Sequence, residues 1–284
     1  MDQSQAAPPA PPTPEMREKL ARLEEILCGY GTVCVAYSGG VDSTFLAAVA
    51  GRVLKDKALA VTAQSESLAP EELDEAVAIA RQFDFAHEIV RTHELQDENY
   101  ASNPQNRCFF CKAELMKHLL DFQAMRGFSA VALGATMDDL GDIRPGETAA
   151  KDRGAVFPLR EALLHKHEIR ALSYEMGLPT WDKPGGACLS SRIPFGERVT
   201  AEKLGQIARG EFLLHQMGFR ECRVRHHETI ARVEIPIAQF QSALERRDEI
   251  IRALRGLGFI YVTLDLQGLR SGSLHAAVRP IAAN

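Results

Sequence analysis

Three features of the chain predict an α/β protein, a parallel sheet covered by helices and followed by a smaller α+β domain. Short β-branched and apolar runs alternate with segments of helical period, a glycine turn joins the first such run to a buried helix, and the pattern changes after Gly196. In chain order, Ala6–Glu15 is proline-rich with little to bury, so residues 1–15 are expected to form a disordered tail. Met16, Leu20, Leu23, Ile26 and Leu27 recur at helical spacing and predict an amphipathic helix. Thr32–Tyr37 predicts the first strand, Ser38–Gly40 a turn, and Val41–Leu54 a largely buried helix. The alternation continues through a strand at Ala58–Ala63, a helix from Pro70 to Phe83, a strand at His87–Thr92, a helix after Cys108 and a strand at Ala130–Ala135. Repeated units of this kind require a parallel sheet with helices on both faces. Beyond Gly196 the reading is a helix from Ala201 to Met217, a hairpin turning at His227–Thr229, a helix from Ile237 to Leu257 and a strand at Phe259–Leu266. The expected domains are therefore 16–196 and 197–284.

Composition narrows the function classes. At 284 residues, 45% hydrophobic and 25% charged, the chain excludes collagen-like, disordered and membrane-spanning classes and can bury a large core without covalent staples. A net charge of −5 speaks against a nucleic-acid backbone as the main partner. No basic start with an apolar stretch opens the chain and no run approaches a membrane span, so a cytoplasmic protein is expected. In a reducing compartment the six cysteines are not disulfides, and closely spaced ones become candidates for metal or catalysis.

The strongest motif is Ser38-Gly39-Gly40-Val41-Asp42-Ser43-Thr44. Two glycines let the backbone approach an anion, the helix start offers unpaired N–H groups, and Ser38, Ser43 and Thr44 add hydroxyl donors. A bare glycine turn capped by Asp42 would not explain hydroxyls on both sides, nor the position after the first strand, where open α/β sheets bind ligands. The pattern matches neither a Walker A loop nor GxGxxG. It resembles the PP-loop of the ATP pyrophosphatase superfamily. That resemblance implies an adenine nucleotide α-hydrolase-like fold, ATP held by Ser38, Gly39, Gly40, Asp42, Ser43 and Thr44, Mg2+ on the phosphates, and a substrate oxygen attacking the α-phosphorus.

The cysteines divide by their neighbours. Cys28, Cys34 and Cys222 fit packing positions, whereas Cys108 and Cys111 form a CxxC between Arg107 and Lys112, whose charges would favour thiolates, and Cys188 stands alone in GGACLSSRIPFG. Three thiolates suit a [4Fe–4S] cluster with one open iron, while a structural zinc would need a fourth ligand such as His118. Together with GATMDDLGDIRPG, RVRHHETIARVEIP and FIYVTLDLQGLRSG, the Cys188 segment makes nearly the whole chain after the tail resemble the LarE family. Those enzymes insert sulfur into the pyridinium-dicarboxylate mononucleotide precursor of the nickel-pincer cofactor of lactate racemase. The resemblance implies Cys188 and Asp42 as catalytic, with Glu211, and homo-oligomers. In members with a single active-site cysteine, the residue matching Cys188 gives up its own sulfur and becomes dehydroalanine. Cys108 and Cys111 place this chain with a three-cysteine subgroup, in which a cluster-bound sulfide serves as donor and a sulfide or sulfur source replenishes it.

Further candidates surround these motifs. Asp138, Asp139, Asp142 and Arg144 follow a strand at its carboxyl end, where carboxylates suit magnesium or ribose hydroxyls and an arginine suits phosphate. Lys112, Ser191 and Arg192 flank the cysteines and suit phosphates, and Arg223 and Arg225, two apart on a strand, share a face and could pair on a substrate phosphate. Two rival readings remain: a tRNA thiolation enzyme, which would also combine a PP-loop with a CxxC and a further cysteine, and a non-catalytic nucleotide-binding module with structural zinc.

Overall fold

The structure, a computed structural model, describes residues 7–140 and 145–270. Its elements are α1 (Pro14–Tyr30), β1 (Val33–Ala36), α2 (Val41–Leu54), β2 (Ala58–Gln64), α3 (Pro70–Gln82), β3 (His87–Arg91), α4 (Glu98–Ala101), α5 (Arg107–Arg126), β4 (Ala130–Ala132), α6 (Pro145–Lys151), α7 (Pro158–Glu161), α8 (Lys166–Glu175), α9 (Ala201–Gln216), β5 (Arg223–His227), β6 (Ile230–Glu234), α10 (Phe240–Glu245), α11 (Arg247–Arg255) and β7 (Tyr261–Leu264). They form two compact units. Among the described residues, one comprises residues 7–65, Pro70–Glu94 and Cys108–Gly186; the other comprises Glu66–Ala69, Leu95–Arg107 and residues 187–270.

The first unit is a parallel sheet ordered β3-β2-β1-β4. Alternation along β1 divides the core: Val33 and Val35 pack with Leu27, Phe45, Leu46 and Ile169, while Cys34 pairs with Leu59, Met116 and Leu119 on the opposite face. The strand order reverses beside β1, because the chain leaves toward β2 and β3 and returns to β4 on the other side. The crevice at the carboxyl ends of β1 and β4 is thus the place where such sheets take ligands.

In the second unit β5 and β6 form the expected hairpin, antiparallel with Arg223 opposite Glu234, and Glu228 at its tip adopts φ 53°. β7 adds to β6 in parallel. α9 and α11 cover this sheet with Leu214, Ile250 and Leu254.

Several expectations need correction. The tail does not run to Glu15: Thr13 caps α1 by accepting from the Met16 N–H at 3.3 Å and Pro14 occupies the first turn, a helix start that periodicity alone misses. Residues 1–6 of that tail lie outside the described residues. The helix expected over Ile237–Leu257 is a short turn followed by α10 and α11, broken where Arg246 leaves helical geometry and donates to the Met217 carbonyl and to Glu249. Cys28 is exposed, because the buried stripe of α1 runs through Leu23 and Leu27. The second unit is also not one continuous stretch. The Gly196 and Val199 N–H groups donate to the carbonyls of Asn103 and Ala101, at 2.9 and 2.8 Å, and draw residues 95–107 into it.

Candidate active site

The loop after β1 has the glycines and hydroxyls of an anion cradle in one turn. Gly39 takes φ 69°, and a Cβ there would stand 3.2 Å from the Ala76 Cβ, so only glycine fits both the turn and the packing. Gly40 starts α2 with no side-chain cap, leaving the first N–H groups of the helix to another partner. The Ser38 and Ser43 hydroxyls lie 3.0 Å apart, the Ser43 hydroxyl also accepting from the Ser38 N–H at 3.2 Å. Thr44, expected among the phosphate donors, is instead fully buried on the inner face of α2 beside Tyr37. Burial pushes the Tyr37 phenol up to about 12, so it remains neutral.

Asp42 makes no side-chain hydrogen bond among the described residues. Its carboxyl is pushed up to about 6, first by burial; Asp139 and Asp138 add to the rise, while Lys166 and Arg170 oppose it. A half-buried carboxylate without a protein partner fits a divalent cation in chemistry and position. Gly134, after β4, lies against this helix start: a Cβ there would come within 3.1 Å of the Ser43 nitrogen. That contact brings GATMDD beside the loop. Asp139 is not a ligand there, being buried with its carboxylate capping Thr136 at 2.8 Å and accepting from Lys166 Nζ at 2.8 Å. Asp138 is exposed, and the Lys166 N–H, followed by His165, holds its carboxyl below the usual range. Asp142 and Arg144 lie outside the described residues.

The sequence reading missed Lys183. Its Nζ donates to the Gly39 carbonyl at 3.1 Å and to Glu75 Oε2 at 2.7 Å, so it touches the loop itself.

Cys108 is exposed and Cys111 half-buried, one turn apart at the start of α5, with Lys112 beside them. Paired thiols there have the donor chemistry of an iron–sulfur or zinc ligand pair. Arg107, expected to bias them toward thiolate, is buried and spent elsewhere, donating to Asn103 Oδ1 and the Ser190 carbonyl. His118 pairs with Glu114 at 3.3 Å. Cys34 is buried with its thiol pushed up to about 12, and burial also raises the Cys222 thiol, so both are inert packing residues. Among the described residues no three His, Cys, Asp or Glu side chains are gathered to hold a metal ion; Cys108 and Cys111 belong to the first unit and Cys188 to the second.

Cys188 is exposed, and an ionic scaffold in its own unit fixes its backbone. Arg192 grips Glu211 through two bonds of 2.8 and 3.0 Å and reaches the carbonyls of Ala187 and Cys188 and the Ser191 hydroxyl. Arg225 grips Glu234 in the same way at 3.0 and 2.9 Å and donates to the Ser191 carbonyl at 2.6 Å. Arg192, Glu211 and Arg225 are all buried. They position the cysteine turn, a role that spacing alone does not reveal. Arg223, less buried, donates to the Arg270 carbonyl at 3.1 Å; burial and the charges of Arg192 and Arg225 lower its guanidinium from the ordinary value. Arg232 also meets Glu234 at 3.4 Å and pairs with Asp265, so these groups number four guanidiniums and three carboxylates, one positive charge in excess.

A parallel sheet with a glycine–hydroxyl loop between its first strand and a helix, beside the point where the strand order reverses, is the arrangement of a PP-loop nucleotide-binding domain. The asparagine synthase family matches residues 27–103, which span the cradle. Over 262 residues the chain is 45% identical to an uncharacterised protein of Synechocystis sp., a match covering 92% of this chain and 98% of that protein. Over 258 residues it is 37% identical to the pyridinium-3,5-bisthiocarboxylic acid mononucleotide synthase of Lactiplantibacillus plantarum, covering 90% of this chain and 94% of the synthase. The chain belongs to the LarE family, and it is an ATP-dependent sulfur transferase. None of its described helices is long and apolar enough to cross a membrane.

Proposed function

We propose that the chain inserts sulfur during nickel-pincer cofactor biosynthesis, converting a carboxylate of pyridinium-3,5-dicarboxylate mononucleotide to a thiocarboxylate. The observation that carries this reading is its identity, over nine-tenths of both chains, to a synthase named for the bisthiocarboxylic acid product. The cradle supports the first half-reaction. The backbone N–H groups of Val41, Asp42 and Ser43 and the Ser38 and Ser43 hydroxyls would hold the β- and γ-phosphates, and Asp42 would hold Mg2+, which supplies Lewis-acid neutralisation of the phosphate oxygens. A substrate carboxylate oxygen attacks the α-phosphorus, its bond to the β-phosphate bridge breaks, and pyrophosphate leaves. Sulfur then attacks the activated carbonyl carbon, and AMP departs with the original carboxylate oxygen. In the second unit, the surplus charge at Arg223 supports binding of the anionic mononucleotide, and the Arg192–Glu211 pair holds the Cys188 turn.

Cys108, Cys111 and Cys188 would hold a [4Fe–4S] cluster, whose bound chemistry is a replaceable sulfide. The alternative donor is the Cys188 sulfur itself, lost by elimination to dehydroalanine. The protein is expected to work in the cytoplasm as a homo-oligomer, with light scattering as the check on assembly.

The test uses anaerobically purified protein with ATP, Mg2+ and the mononucleotide, followed by mass spectrometry of product and protein. A product with sulfur in place of one carboxylate oxygen, alongside AMP and pyrophosphate, is expected. No sulfur gain under any donor would refute the reading. Cys188 converted to dehydroalanine in protein without iron would select the sacrificial route.

A further inference from the structure

Lys183 is a basic group that the structure places on the loop after β1 and that neither motif nor spacing marks. It arrives by a specific scaffold. Arg170, on α8, donates to the carbonyls of Trp181 at 2.6 Å and of Lys183 itself at 2.8 Å, fixing the turn after the helix. From that turn Lys183 Nζ reaches the Gly39 carbonyl across 144 residues of sequence. A trans peptide directs its C=O and N–H oppositely, so holding the Gly39 oxygen turns the Gly40 N–H away from the lysine, toward Ser38 Oγ at 3.4 Å.

An ammonium has three N–H donors, of which the Gly39 carbonyl and Glu75 take two. The Glu75 side chain is 43% exposed, against 21% for Lys183, so the pair is a weak, water-screened one that a stronger anion can displace. A polyphosphate is such an anion.

We propose that Lys183 is a polyphosphate-binding residue, held at rest by Glu75 and transferred to the phosphate oxygens when nucleotide enters, its bond to the Gly39 carbonyl keeping the ammonium at the loop. The proposal rests on the reading of this loop as the ATP site. Glu75 then competes with the nucleotide, and the two partners of one salt bridge act on affinity in opposite directions.

The experiment measures calorimetric binding of α,β-methylene-ATP, inorganic pyrophosphate and adenosine to the full-length protein and three variants. Lys183→Met weakens both phosphate ligands by about 10- to 100-fold, the worth of a lost charge-assisted bond, and leaves adenosine unchanged. Lys183→Arg, which keeps the charge, retains most of the affinity. Glu75→Gln binds pyrophosphate more tightly than wild type, and unchanged affinity in this variant refutes the competition. If Lys183→Met and Glu75→Gln weaken binding alike, or if adenosine affinity falls with the rest, the pair is a structural staple and the proposal fails. It also fails if Lys183→Met binds as wild type. Wild-type protein that binds neither phosphate ligand overturns the ATP-site reading together with it.

Discussion

At the scale of single residues, types with few other uses were legible in the sequence. Gly39, Gly40, Ser38 and Ser43 form the strand–helix turn that the motif led one to expect, and the anion site proposed on them follows because glycine and hydroxyls at such a junction have little to do in a core. Nothing in a motif tells which face of a helix is buried, and Thr44 lies on the buried one. Lys183 was invisible for the converse reason: lysines are common, and its contact with Gly39 is made through the fold. Asp42 yields a pH prediction. Its carboxyl, near 6 in the folded protein, binds a proton more tightly than in the unfolded chain. The stability linked to that proton is full below the ordinary carboxylate range and is lost as pH rises through about 6. Metal-free Asp42→Asn should therefore be more stable at neutral pH by about 2 kcal/mol, with the gain vanishing in acid, in thermal melts across pH. The same variant should lose Mg2+-dependent ATP turnover. Gly134→Ala must push its new methyl against the Ser43 backbone, a strain of about 1–3 kcal/mol, and should weaken pyrophosphate binding in calorimetry.

At the scale of elements, periodicity located most helices and strands but not their breaks. Ala243, Ile250 and Leu254 keep one apolar phase across Arg246, so the pattern reads as continuous although the backbone is not. Nor does periodicity disclose what a helix braces. α8 carries Lys166 and Arg170 one turn apart: the first holds Asp139 and the second holds the turn bearing Lys183. In the second unit, α9 presents Glu211 to Arg192 beneath the cysteine turn. Glu211→Ala strands a buried guanidinium and should cost about 3–5 kcal/mol in urea denaturation. Glu211→Gln, which can still accept hydrogen bonds, should cost less. In either variant the Cys188 thiol should react faster with a small alkylating agent, since its turn loses an anchor.

At the scale of the molecule, the parallel sheet followed from alternating elements and a glycine turn. The family followed from motifs spread along the chain. Net charge bears on the rival tRNA reading: at −5, the protein should show no tight, salt-sensitive retention of tRNA in filter binding. The hardest feature to read was which stretches belong together. Asn103 donates from its side-chain amide to the carbonyls of Ile193, Pro194 and Glu197, and Tyr100 meets the Ser190 hydroxyl at 2.6 Å. Those bonds join residues about ninety positions apart.

This braiding decides how the protein can be cut. The second unit takes Glu66–Ala69 and Leu95–Arg107 as well as the chain from Ala187, so no single excision removes it whole. A fragment starting at Ala187 would leave the Ile193, Pro194 and Glu197 carbonyls without Asn103, and one ending at Gly186 would leave Tyr100 and Arg107 without Ser190. Halves expressed separately should be insoluble, and regain structure only when produced together. A module transplanted from this chain should therefore carry both units, because neither can be lifted out without cutting the bonds that the other's sequence interrupts.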